Sequence, residues 1–125
     1  MSNQIIFEFI DAINDADVDK LLDLCSHDHI MTDSKDRKVS GKENLKIAWK
    51  GYFTLFPDYK IEINKIVEKE SFYCIIGYAS AGYRHVPLQN NNNSWRIPVI
   101  WTAKVKDNQI VSWQIYADNS HLANN

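Results

Sequence analysis

The spacing of the apolar residues changes once along the chain, near residue 58, and that change constrains the fold more than any motif. Before it, Ile5, Ile6, Phe9, Ile10 and Ile13 recur every three to four residues, so an amphipathic helix is expected from residue 3 to about 14. After it, Tyr59, Ile61 and Ile63 alternate with Lys60, Glu62 and Asn64, the spacing of a half-buried strand. A chain that spends its helices first and its strands afterwards does not build the alternating units of a parallel sheet. It builds an α+β domain, in which helices pack on one side of a mainly antiparallel sheet.

Within that frame the elements can be placed. Asn14-Asp15-Ala16-Asp17 interrupts the first helix, and Asp15 or Asp17 caps a short second one holding Val18, Leu21, Leu22 and Cys25. Ser26 to Met31 leads into a short extended piece near residue 32. Ser40-Gly41-Lys42-Glu43 reads as a capping box with Ser40 as N-cap and Glu43 as its return partner. The helix it opens carries Leu45, Ala48, Trp49, Tyr52, Phe53 and Phe56 on one face and stops at Pro57-Asp58. Four strands follow as a meander, with turns expected at Lys69-Glu70 and Asp107-Asn108. The second of these strands, 72 to 83, is apolar on both faces and should be covered on both sides. Pro87 and the run Asn90-Asn91-Asn92-Asn93 mark a loop from 84 to 94.

Length and composition bound the rest. With 125 residues, 45% hydrophobic and 12% aromatic, the chain can build one core and one pocket within a single domain spanning residues 1–125. A net charge of −2 does not suit nucleic acid, and no apolar run is long enough to span a bilayer. Glu8 and Asp11 come early, where a secretory leader would be basic and then apolar. Cys25 and Cys74 sit among apolar residues as free thiols rather than a disulfide framework. A cytoplasmic protein is the expectation.

Three stretches together resemble the SnoaL-like polyketide cyclases of the NTF2-like superfamily. They are the first helix with Asn14-Asp15-Ala16-Asp17 and the second helix ending near Asp28; Gly41 heading the aromatic helix that stops at Phe56-Pro57-Asp58; and the ending Asp107-Asn108-Gln109-Ile110 followed by Trp113, Tyr116 and Asp118. The resemblance implies a cone: three N-terminal helices packed in a curved, mostly antiparallel β-sheet, with a cavity between helices and sheet. It also implies a homodimer that packs through the convex sheet face, which would supply the second cover for strand 72 to 83.

The same resemblance points to Asp118 as a proton-shuttling acid/base, a role that needs a carboxylate in an apolar setting. Tyr116 or His85 would hydrogen-bond the developing enolate. Trp49, Tyr52, Phe56, Trp101 and Trp113 are expected to wall a pocket for a hydrophobic, ring-containing or polyketide-like molecule, with Arg96 as a polar contact that could also pair with Asp118. Asp33 occupies a stretch comparable to that of the general base of ketosteroid isomerases, an enzyme that serves as a standard example of pKa tuning. No acid stands between Trp95 and Val105 to complete such a site, and Asp33 reads as a solvated loop residue. His27 and His29 would share a face of a strand, but no third ligand accompanies them, so no metal and no cofactor are expected. The function expected is cofactor-independent proton transfer of cyclase or isomerase type. The alternative is a non-catalytic protein that binds a small ligand or dimerises.

Overall fold

The computed structural model describes residues 4–82 and 94–118. Three helices, α1 (Gln4–Asn14), α2 (Val18–Leu24) and α3 (Lys42–Leu55), pack on a six-stranded sheet made of β1 (Cys25–Thr32), β2 (Lys38–Ser40), β3 (Lys60–Lys69), β4 (Phe72–Gly82), β5 (Ser94–Lys106) and β6 (Gln109–Tyr116). The strand order is β2-β1-β6-β5-β4-β3. Every pairing is antiparallel except β1 with β6, which run parallel. The expected four-strand meander is therefore β3 to β6. The short piece near residue 32 is in fact an eight-residue strand, joined to the meander through β6 and continued by β2.

The helices form for the reasons their sequence gives. The α1 stripe Ile5, Ile6, Phe9, Ile10 and Ile13 is buried. Asp17 caps α2, its carboxylate accepting from the Lys20 backbone N–H at 3.1 Å. The cap of α3 differs from the expected box. Gly41 is the N-cap, at φ 87°, and no side chain bonds to the cap. Ser40 is committed elsewhere: it is the last residue of β2, paired with Ile30, and its carbonyl accepts from the Asn44 side chain. A chain leaving a strand this sharply needs a left-handed residue, which glycine supplies without steric cost.

Two tight turns close the meander. Asp107 and Asn108 both take positive φ, 53° and 60°, the arrangement of a two-residue hairpin whose twist matches the strands. The β3–β4 turn has the same form but uses Glu70 and Ser71, one residue beyond the expected Lys69-Glu70. Between these strands the register shifts at Ile63/Lys65. Opposite that bulge, a Cβ built on Gly77 would come 1.8 Å from the Glu62 carbonyl oxygen, so only glycine permits this close approach.

The core lies between α1, α3 and the inner face of the sheet, with Phe9, Tyr73, Trp101 and Trp113 at its centre. Strand β4 alternates: Tyr73, Ile75 and Ala79 are buried inward, while Cys74, Ile76 and Tyr78 are half-buried outward and Phe72 is exposed. Within the chain it is fully covered on one face only. The C-terminal end of α1 is tied to β3 by Asn14, whose side chain accepts from the Ile61 N–H at 2.7 Å and donates to the Ile61 carbonyl at 3.2 Å. Both cysteines are free, Cys25 buried and Cys74 half-buried; burial pushes the Cys25 thiol up to about 12. No helix among the described residues is long and apolar enough to cross a membrane.

Candidate functional site

Between α3, the β1–β2 hairpin and the hollow of the sheet lies a cavity of about 490 Å³, within the range of roughly 300–1,000 Å³ usual for small-molecule sites. Each wall follows from a local pattern. Helix α3 turns Ala48, Trp49 and Tyr52 toward it, and Phe56 follows from its C-cap. Strand β5, with period two, contributes Trp95, Ile97, Val99 and Trp101. Strand β6 adds Trp113 and Ile115, with Ala117 just beyond, and Met31 and Val39 come from β1 and β2. All four tryptophans of the chain line this space.

The aromatic rings hold one another in place. Tyr52 meets Phe56 at 5.2 Å and Tyr59 edge-to-face at 5.0 Å, and Phe56 meets Trp95 edge-to-face at 5.5 Å. Such edge-to-face pairs suit the ring quadrupoles. The bend that brings Tyr59 back onto Tyr52 is fixed by backbone bonds from Phe56 N–H to the Tyr52 carbonyl and from Tyr59 N–H to the Phe56 carbonyl. The Asp58 carboxylate then accepts from the Gly82 N–H and ties the bend to the end of β4.

Polar groups on the cavity wall fall in two places. One is the pair of tyrosines Tyr52 and Tyr59 beside the Trp101 indole, all three on the lining. Burial pushes both tyrosine hydroxyls up from their ordinary range, so both stay protonated and neutral. The other is the hairpin turn, where Asp33, Ser34, Lys35 and Arg37 line the mouth. The Asp33 carboxylate accepts from the backbone N–H groups of Lys35 and Arg37, and from Arg37 Nε at 2.8 Å. Partial burial acts to raise the Asp33 carboxyl, but these bonds and the guanidinium outweigh it and hold it below its ordinary value.

The sequence-derived residues divide. Trp49, Tyr52, Phe56, Trp101 and Trp113 all reach the cavity. Arg96 does not: it follows Trp95 on β5 and so points to the outer face. There its guanidinium pairs with Glu62 at 3.1 Å and lies 3.8 Å above the Tyr78 ring. Its partner is thus Glu62, where the sequence left a pair with Asp118 open. Tyr116 is also on the outer face, opposite Ile100 and 49% exposed. Asp118 is exposed just after β6 and is not among the residues that line the cavity, although its neighbour Ala117 is. His85 lies outside the described residues, as does most of the 84 to 94 loop.

Two wall residues, Tyr59 and Trp95, did not stand out in the sequence, and Asp33 reads there as a solvated loop residue. Trp95 shares its parity along β5 with Trp101, and that signal was present. Asp33 gave less away, since a carboxylate in a polar loop reads the same whether or not a cavity lies behind it. His27 and His29 are parted by the register shift in β1: His27 is exposed and His29 buried. His29 Nδ1 lies 2.7 Å from the Ile110 carbonyl and must carry the proton, and its Nε2 meets no partner among the described residues. No group of three potential metal ligands occurs among the described residues.

The same architecture occurs in solved structures of low sequence identity. A protein with a ketosteroid isomerase-like fold from Catenulispora acidiphila, in complex with trimethylamine, superposes with a TM-score of 0.83 at 15% identity, covering 96% of this chain and 89% of that one. A candidate SnoaL-like polyketide cyclase from Shewanella denitrificans gives 0.82 at 15% identity, over 98% and 94%. An NTF2-like protein of unknown function from Burkholderia pseudomallei gives 0.82 at 12% identity, over 98% and 95%. At these identities the likeness establishes the fold, a curved sheet wrapped on three helices in the NTF2-like manner. No curated protein matches the sequence significantly. The family model described as SnoaL-like domain matches residues 6–113, which takes in every helix and strand from α1 into β6, and the chain belongs to that family.

Proposed function

We propose that the cavity receives a mainly apolar, ring-containing small molecule, of the size and flatness of a polyketide-like aromatic. The observation that carries this reading is the enclosure of about 490 Å³ by seven aromatic side chains, with a single carboxylate among the described lining residues, Asp33, held in the hairpin turn. Because every tryptophan lines the space, intrinsic fluorescence tests it directly. Titration with aromatic ketones and fused-ring compounds should quench the emission and raise the melting temperature together; at 100 times Kd the gain in stability is about 2.7 kcal/mol. A full panel that changes neither signal would overturn the reading.

The reaction that suits such a ligand is proton transfer beside a carbonyl, of cyclase or isomerase type and without a cofactor. The Tyr52 hydroxyl favours it, because a neutral donor on an apolar wall can stabilise the enolate oxygen that forms. Tyr52 takes here the part that the family resemblance gives to Tyr116 or His85. Asp118 remains the family's acid/base position, and Asp33 is the carboxylate nearer the ligand space. Asp118→Asn and Asp33→Asn, compared for turnover with binding unchanged, decide between them. Equal turnover in both variants and the wild type would remove carboxylate catalysis and leave a binding protein.

We also infer a homodimer formed through the outer sheet face. Support comes from its exposed apolar residues Val67, Phe72, Ile100 and Tyr116, which lie on four adjoining strands. Sedimentation at micromolar concentration should give a dimer that Ile100→Glu dissociates; a wild-type monomer would end this proposal. The free cysteines fit a reducing, cytoplasmic setting.

A further inference from the structure

Charge enters the described lining of the cavity at one place. Asp33, Lys35 and Arg37, all from the turn between β1 and β2, line it, and every other described lining residue is uncharged. The turn, 33 to 38, holds two acids, Asp33 and Asp36, and three bases, Lys35, Arg37 and Lys38. Each acid already has its base: Asp33 meets Arg37 Nε at 2.8 Å, and Asp36 meets Lys38 Nζ at 3.2 Å. Lys35 is the cation left over, and its ammonium meets no carboxylate among the described residues. In a chain of net charge −2, a surplus positive charge thus stands on the wall of an apolar cavity.

The backbone under that charge is fixed before anything binds. The Asp36 N–H donates to the Asp33 carbonyl at 3.0 Å and the Asp33 N–H to the Arg37 carbonyl at 2.9 Å. The N–H groups of Lys35 and Arg37 both donate to Asp33 Oδ1 at 2.9 Å. Among the described residues Arg37 uses only Nε, so its two terminal nitrogens, like the Lys35 ammonium, still have protons to donate. Lys35 and Arg37 line the cavity and yet are exposed, which places them where it opens to water. Trp101 and Trp113, exposed to only 0% and 1%, lie at its closed end.

We propose that Lys35, with Arg37 beside it, receives the carboxylate of a ring-bearing acid whose ring lies against the tryptophans, so that the cavity prefers such acids to neutral molecules of the same shape. The inference rests on the cavity being a ligand site and adds the charge of what enters. A carboxylate only accepts hydrogen bonds, and both cations only donate them, so the groups match. Asp33 offers a cationic ligand little, because three donors already hold its carboxylate. Both receiving groups stand in water, so the attraction is that of an exposed pair, a few-fold in affinity.

The test titrates 2-naphthoate and 2-naphthamide by calorimetry at pH 7; the two share ring and shape and differ in charge. Wild-type protein at low salt should bind naphthoate roughly five-fold more tightly. The preference should shrink as ionic strength rises and screening shortens the reach of each charge. Lys35→Met keeps the apolar stem and removes the charge, at a side chain that bonds to nothing among the described residues. It should erase most of the preference while leaving naphthamide affinity unchanged, and Lys35→Glu should invert the preference. Lys69→Met removes the same charge at the opposite end of β3 from the lining residue Ile61, and should leave the preference in place. That control separates contact at the cavity from the field of the whole protein. Should the pair bind equally to the wild type, Lys35→Met keep the full preference, or Lys69→Met lose as much, the acid-receiving role of Lys35 is refuted while the cavity reading stands. Should neither compound bind the wild type, both fall for ligands of this class.

Discussion

On β5, Trp95, Ile97, Val99 and Trp101 turn to the cavity, whereas Arg96, Pro98, Ile100 and Thr102 turn to the outer face, where Arg96, Pro98 and Ile100 are exposed and Thr102 is half-buried. The two sets come from one strand and differ only in parity, yet one wall is closed by rings and the other is left open. Residue type alone does not separate them, since isoleucine occurs in both, as Ile97 and Ile100. What separates them is which face the curved sheet turns toward the helices. A one-residue slip in register would exchange pocket and surface. The inner face therefore has to be specified strongly, and the outer face is free to carry charge pairs or a partner.

If that contrast is real, truncations on the two faces should differ most. Trp101→Ala removes a fully buried ring and should cost about 3–5 kcal/mol in denaturant unfolding. A loss as small as that of a surface residue would mean the inner wall is not the core.

A second way to sharpen the contrast is pH. Burial, the dominant cause, holds the His29 imidazole below its ordinary 6.5, against the Ile110 carbonyl, which acts to raise it. The unfolded chain then binds a proton that the folded chain refuses. Stability should fall as pH drops below about 6.5 and recover as pH rises through that value. Unfolding curves of His29→Gln between pH 7 and pH 5 should show a flatter dependence, and an identical slope would mean the ring is not neutral and buried. Asp33 works in a different window. Its carboxyl is held below the ordinary 3.8, so its contribution is present above that value and lost as pH falls beneath it.

The hairpins offer a smaller effect. Glu70 and Ser71 adopt the positive φ that suits Asn-Gly, and side chains there carry strain. Replacing the pair with Asn-Gly should raise stability by about 1 kcal/mol. The same exchange at Asp107-Asn108, already near the preferred sequence, should gain less. Smallest of all, Tyr116→Ala should stay within about 0.5 kcal/mol for the isolated protomer, and a thermal melt of the protein diluted to a monomer reads it. A cost near that of Trp101→Ala would erase the distinction between the faces.

Much of this was legible in the sequence, and the reasons for the remainder are specific. Period counting placed α1, α3 and the first meander strand, because each buries one face and leaves the other largely polar, and β4 showed instead as a run apolar on both faces. It missed the extent of β1, whose residues Ser26 to Met31 mix histidine and aspartate with apolar side chains and follow no period across a register shift. The Ser40 cap failed because the motif reads only four residues, and Ser40 belonged to a strand. Five aromatic wall residues were found by type. Arg96 and Tyr116 were grouped with them, although Tyr116 lies three positions on from Trp113 and Arg96 one position on from Trp95. An odd step along a strand changes face. Tyr59 read only as a residue of a half-buried strand, and nothing in a one-dimensional reading shows that its ring folds back edge-to-face onto Tyr52.

Asn14 carries a consequence for how copies of this chain can meet. Strand β3 ends the sheet, so its outer backbone groups face no further strand. At Ile61 both of those groups are taken by one side-chain amide, which stands in for a single residue of a missing seventh strand. A foreign strand that tried to zip on along this border would find its first rungs occupied, and farther along would run against Lys65 and Lys69. Open-ended growth from strand to strand, the route to fibres, is thus hindered at this border by an asparagine at the end of a helix.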